Sequence, residues 1–135
     1  MSDSQFVKTT VILPVTDLYD SIAWYERVLG FRSRYIHGSG RRGETEEFAN
    51  YAIVARDAVE VHFILDETPD AGPRGWDRPG NGRLGLTVSN VDNVYAAVVA
   101  AGVPIVSALQ KLNWPARGFD VKDPDGNAIH IEQPL

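Results

Sequence analysis

An α+β fold that uses a βαβββ plan twice is what this sequence predicts, and three observations carry the prediction. A strand-like run followed by a capped amphipathic helix occurs near the start of each half. Three further strand-like runs follow each helix, and a stretch rich in Pro and Gly separates the halves. In the first half, Lys8 to Val15 is dense in β-branched residues and reads as a strand. Asp17 is placed to cap a helix whose Leu18, Ile22, Tyr25 and Leu29 share one face, and Gly30 is placed to end it. The runs Phe31 to His37, Phe48 to Ala55 and Ala58 to Leu65 read as strands, the last two joined by a tight turn at Arg56-Asp57.

The second half repeats the order. Arg83 to Val88 is a strand, Asn90 caps a helix carrying Val91, Val94, Tyr95 and Val98 on one face, and Gly102 with Pro104 stops it. Strands are expected at Pro104 to Ala108, Arg117 to Lys122 and Ala128 to Glu132, with the turn formers Asp123 to Asn127 between the last two. The organisation is one domain over residues 1–135: a first module at 6–66, a linker at 67–82 holding three Pro and four Gly, and a second module at 83–135.

Composition narrows the function classes. The 135 residues are 44% hydrophobic and 23% charged, within the globular range. No apolar run approaches the roughly 20 residues of a membrane span, and the first residues do not have the pattern of a signal peptide, so a cytoplasmic protein is expected. The absence of cysteine removes disulfides, thiolate nucleophiles and Cys-ligated metals. A net charge of −5 argues against nucleic acid and favours a cationic partner.

Strand side chains alternate between faces, so parity sorts the chemistry. Val61, Phe63 and Leu65 fall on one face of their strand and Glu60, His62 and Ile64 on the other; Ile129 and Ile131 oppose His130 and Glu132. One face of the sheet is thus aliphatic, for the helices, while the other carries Thr10, Glu60, His62, Arg83, Thr87, His130 and Glu132. Such a polar face is either a wetted surface or, if the sheet curls, the lining of a cavity; alternation leaves both open.

Leu13-Pro14-Val15-Thr16-Asp17, then Ser21, Trp24-Tyr25-Glu26-Arg27 and Leu29-Gly30-Phe31, resemble the opening of the vicinal oxygen chelate superfamily, which includes glyoxalases, bleomycin-resistance proteins, fosfomycin-resistance enzymes and extradiol dioxygenases. Trp114, Arg117, Phe119 and the run Asp123 to His130 resemble its closing signature. The resemblance implies that the two modules form a curled eight-stranded mixed sheet with two flanking helices, commonly in a homodimer.

It also implies four metal positions, which fall here on Thr10, Glu60, Arg83 and His130. Glu and His ligate a divalent ion well, Thr poorly, and the protonated guanidinium of Arg offers no lone pair. A catalytic site needs about three protein ligands and an open position. No metal or other cofactor is therefore expected, and the Arg83 guanidinium is expected in the ion's place, paired with Glu60. The competing reading has His62 join Glu60 and His130 around a metal.

Loss of the metal points to the bleomycin-resistance-like branch. Pro14 inside the first strand suits an edge or a strand exchanged with a partner chain. Trp114 and Arg117 resemble the branch's WGREF-like stretch, although Pro115, the inserted Ala116 and Gly118 depart from it; Glu60-Val61-His62-Phe63 resembles an ELHF-like stretch. The function so implied is sequestration of an antibiotic-like, cationic aromatic ligand, such as a bleomycin-type drug, in a groove between two subunits. The candidate ligand-binding residues are Tyr35, Phe48, Tyr51, His62, Trp76, Trp114, Arg117 and Phe119, with the aromatics also readable as core or surface fillers. The loop acids Glu44, Glu46, Glu47, Asp66, Glu67 and Asp70 would attract a basic ligand. Two alternatives stand beside this one: a metal-dependent glyoxalase-type lyase, isomerase or dioxygenase using Glu60 and His130, and a binder of an ordinary metabolite.

Overall fold

The computed structural model describes residues 3–67 and 78–135. Ten elements follow the βαβββ order twice: β1 Ile12–Val15, α1 Leu18–Leu29, β2 Arg32–His37, β3 Tyr51–Arg56, β4 Val59–Leu65, then β5 Arg83–Thr87, α2 Val91–Ala100, β6 Ser107–Lys111, β7 Ala116–Lys122 and β8 Ala128–Pro134. The hydrogen-bonded ladder is divided into two four-stranded sheets, ordered β1-β4-β3-β2 and β5-β8-β7-β6. In each sheet the strand before the helix pairs in parallel with the last strand of its module, and the remaining pairs are antiparallel. The short strands β1 and β5 are thus edges, and Pro14 sits where a missing N–H costs no central ladder bond.

The caps form as the residue types require. The Asp17 carboxylate accepts from the Asp20 N–H at 3.0 Å, and Gly30 ends α1 in the left-handed region at φ 72°. Asn90 accepts from the Asn93 N–H at 3.1 Å. The β3–β4 turn uses Asp57 at φ 53°, a conformation that Asp tolerates better than most side chains.

Helix α1 packs on β2, β3 and β4, α2 on β7 and β8, and the helices touch each other. One hydrophobic cluster runs through both modules, from Leu13, Val15, Tyr25, Val54, Val61 and Phe63 to Leu84, Val98, Phe119, Ile129 and Ile131. The opposite face of the first sheet is open, leaving Ile12, Tyr35 and Ile64 between two fifths and one half exposed.

Three strands begin later than their composition suggests: β1, β6 and β3, the last starting at Tyr51 rather than Phe48. Residues 8–11 are exposed and outside the strand, which starts at Ile12, so Thr10 lies on an extended approach. β6 begins at Ser107 rather than Pro104, because the chain leaving Gly102 at φ 78° first crosses the end of α2, and Pro104 has no N–H to give a ladder.

The modules are joined by the turn Asp123 to Asn127. The buried Asp123 carboxylate accepts four hydrogen bonds: from the N–H groups of Asp125 and Asn127, the Asn127 side-chain amide, and the Tyr25 hydroxyl of α1 at 2.8 Å. Burial, then the negative charge of Asp123, drives the Tyr25 phenol far above its ordinary pKa, so it is a permanent donor. Asp125 accepts from the backbone and hydroxyl of Thr16, just after β1, and Asn127 accepts from the Gly82 N–H, just before β5. Removing the carboxylate in Asp123→Ala orphans buried donors and is expected to cost about 3 kcal/mol, against about 1 kcal/mol for Tyr25→Phe, measured by urea unfolding.

Candidate functional site

Thr10 apart, which lies before β1, the open faces of the two sheets carry the polar residues that alternation assigned to them, and His62 and His130 organise them. On the first sheet, register places His62 between Ile53 and Ile12, and Glu60 beside Ala55. The His62 Nδ1 meets the Tyr51 hydroxyl at 2.7 Å and its Nε2 meets the Glu60 carboxylate at 3.2 Å. One ring proton, on Nε2, satisfies both contacts, with Tyr51 donating to Nδ1. Burial raises the Tyr51 pKa, keeping that hydroxyl protonated. Glu60 is held ionised, first by the bond from His62 and then by the Lys8 ammonium, with Arg34 beside it. Lys8 and Arg34 lie 3.8 and 3.7 Å from its oxygens.

These cations correct the expected Arg83–Glu60 pair. Within the chain the partners of Glu60 come from its own module, and among the described residues Arg83 has no hydrogen bond or ion pair. Thr10 is exposed on the approach to β1. Tyr35 is half exposed, its hydroxyl 2.9 Å from Nδ1 of His37, while Phe48 is half-buried in the loop before β3.

On the second sheet, His130 lies between Gly85 and Asp120 in register. Its Nδ1 is 2.8 Å from Asp120 and its Nε2 is 2.7 Å from Glu132. Both neighbours are acceptors, so both nitrogens must donate and the imidazolium is the form that fits. Partial burial opposes the charge, but the bonds to the two carboxylates outweigh it and the pKa is raised. The Trp114 ring stands over this group, its centroid 6.0 Å from that of His130 and its Nε1–H donating to Glu132 at 3.2 Å. Three backbone bonds fix the Trp114 loop: Ala116 to Trp114, Leu112 to Ala116 and Leu135 to Pro115.

Two glycines shape the floor. A β-carbon at Gly118 would stand 3.1 Å from Cε1 of His130 and 2.9 Å from the Ile131 carbonyl, so glycine lets the imidazole lie across β7. A β-carbon at Gly85 would meet nothing within 4 Å, and the space above it opens into a hollow of about 340 Å³ lined by Arg83, Gly85, Leu112, Trp114, Asp120 and His130. A larger hollow, about 480 Å³, lies away from this face, between Trp24, Arg27 and residues 101–106, and holds none of the predicted site residues.

The structure separates two further candidates from this face. Phe119 has the parity of Val121, is fully buried, and meets Tyr95 of α2 edge-on at 4.9 Å, so it is core. Arg117 shares that parity and binds Asp92 of α2 at 2.8 Å. Trp76 and Asp70 lie outside the described residues. Of the loop acids, Glu44 accepts from the Arg41 N–H and Asp66 pairs with Arg78, so neither faces the hollow as a bare charge. Asp120, Lys8 and Arg34 went unnoticed in the sequence; Asp120 was findable because it is one strand over from His130 with matching parity.

The donor set does not fit a divalent ion. Among the described residues no three His, Asp or Glu side chains converge on one point, both His130 nitrogens are engaged by carboxylates, and Arg83 cannot ligate. The His130 charge makes a pH signature. Because its folded pKa is raised, the stability it contributes is complete below about pH 6.5 and is lost as pH rises through the elevated value. Proton NMR of the ring is expected to give a midpoint above the ordinary histidine value, falling in Asp120→Asn and Glu132→Gln.

The chain matches the model of the Glyoxalase/Bleomycin resistance protein/Dioxygenase superfamily over residues 7–131. No curated protein matches it. Among solved structures it is similar to TnmS3, an antibiotic binding protein from Streptomyces sp. CB03234, at 22% identity and TM-score 0.71, covering 98% of this chain and 100% of that one. It is similar to a bleomycin-binding protein complexed with bleomycin at 21% identity and TM-score 0.67, covering 96% and 100%. It is also similar to a glyoxalase-related enzyme from Clostridium phytofermentans at 17% identity and TM-score 0.71, covering 98% of each chain. With βαβββ twice over, parallel outer pairs, and a family match spanning nearly its whole length, the chain belongs to the Glyoxalase/Bleomycin resistance protein/Dioxygenase superfamily.

Proposed function

We propose that this protein sequesters an antibiotic-like aromatic small molecule without chemistry and without a bound metal. The observation that carries the reading is the half-exposed Trp114 ring, held by its backbone turn and by Glu132 beside a hollow of about 340 Å³ whose histidine has both nitrogens engaged. An indole fixed in place next to open volume offers a stacking surface at little entropic cost. The antibiotic- and bleomycin-binding relatives support the same class of ligand. The net charge of −5 draws a cationic ligand toward the molecule, and a cytoplasmic location accords with this role.

The groove in this reading lies between two subunits. Residues 3–11 run exposed along the chain, Phe6 and Val7 almost wholly uncovered, and lead into the edge strand β1 beside the open apolar face of Ile12, Tyr35 and Ile64. A partner chain that exchanges this segment would cover those side chains and close both faces into one groove.

The test is titration of tryptophan emission with a bleomycin-type drug. The reading predicts saturable quenching, no turnover of the drug or of a hemithioacetal, and binding about tenfold weaker in Trp114→Ala. Turnover that begins on adding a divalent metal would favour the enzyme. Light scattering is expected to give twice the chain mass of 14.9 kDa, and a monomer at micromolar concentration would remove the shared groove.

A further inference from the structure

The hollow beside Trp114 contains a cation that the fold does not use. Arg83 begins β5, the edge strand, and shares its face with Gly85, its neighbour two residues on. Every other charged group around the hollow is spoken for: Asp120 and Glu132 face the two nitrogens of His130, and Glu132 also receives the Trp114 indole. Of the three charged groups that line the hollow, the Arg83 side chain is the one with neither a hydrogen bond nor an ion pair among the described residues, and it is exposed at the rim. Beside it the missing side chain of Gly85 leaves the strand surface flat and open, and Leu112 and Trp114 supply the apolar walls.

We propose that Arg83 is a specificity-determining residue that receives an acidic group, a carboxylate or a pair of adjacent ring oxygens, on a planar ligand lying over Gly85 against Trp114. The proposal rests on the small-molecule reading above and names the ligand's chemistry more closely. A guanidinium presents two parallel N–H donors, which suit two oxygens held in one plane, and such charge-assisted pairs are the strong ones. Asp120 and Glu132 are already engaged by the two nitrogens of His130, and Glu132 also by the Trp114 indole, so neither pairs with Arg83. The ligand so defined carries an acidic end at Arg83, whatever basic group it bears elsewhere.

Three compounds with one ring system test this: 2-naphthoate, neutral 2-naphthamide and cationic 2-naphthylmethylammonium. Each is titrated calorimetrically into the full chain and into Arg83→Ala, Arg83→Lys, Gly85→Val and Trp114→Phe. The expected result is that naphthoate binds about tenfold tighter than the amide, that Arg83→Ala reduces the preference to within about twofold, and that Arg83→Lys keeps part of it. Gly85→Val, whose side chain enters open space, is expected to fold with an unchanged urea midpoint and to weaken all bound compounds. Equal binding of naphthoate and amide, or a preference that survives Arg83→Ala, overturns the role of Arg83. If the ammonium compound binds tightest and its binding depends on Trp114, the acidic-ligand inference falls while the binder reading stands. If none of the three binds and a bleomycin-type drug also leaves tryptophan emission unchanged, both fall together.

Discussion

A single buried carboxylate holds the two halves of this molecule in register. Asp123 receives four donors, one of them the hydroxyl of Tyr25 from the other module, and its neighbours Asp125 and Asn127 reach the end of β1 and the start of β5. Each module has its own sheet and helix, and α1 meets α2 through non-directional packing and one exposed hydrogen bond, from the Arg27 guanidinium to the Ala101 carbonyl at 3.0 Å. The turn supplies the buried directional bonds between the modules, and these set one sheet relative to the other. Their positions matter for function because β1 and β5 are each one edge of a sheet, and the residues that they bring forward, Pro14 and Arg83, lie at those edges.

The two open faces show how a duplicated plan takes on different chemistry. Both last strands carry a Glu and a His two residues apart, as Glu60-Val61-His62 and His130-Ile131-Glu132. In the first, the histidine sits between an acceptor and a hydroxyl, so one ring proton serves both contacts. In the second it sits between two carboxylates, an arrangement that a second ring proton satisfies and that raises its pKa. A ring with both nitrogens donating has no lone pair to give a metal, and Arg83, two residue pairs away in the ladder, adds a fixed positive charge to the same region. Both features suit recognition of a ligand's own charges better than coordination of an ion.

Much of this was legible in the chain. Asp17, Gly30 and Asn90 marked helix ends because caps are local chemistry, and the faces of β4 and β8 followed from alternation, since burial on one side forces period two. The failures came where a non-local partner decides. Nothing in Lys8 to Val11 says whether a neighbouring strand will accept the run, and Pro104-Ile105-Val106 is apolar enough to suggest a strand although the ladder begins only at Ser107. Phe119 and Arg117 were assigned by motif when their parity with Val121 already pointed them at α2. The glycines at 85 and 118 were visible signals of a close approach or open floor, but what approaches them depends on where His130 lies across the sheet.

The account turns on His130 being a proton-bearing partner of Asp120 and Glu132. Equilibrium dialysis of chelator-stripped protein against micromolar zinc, nickel or manganese near pH 6.5 examines this most directly, because ion uptake would have to displace a ring proton. The account predicts uptake well below one ion per chain, unchanged by His130→Ala. Uptake of one ion per chain, abolished by His130→Ala or Glu60→Ala, would contradict it.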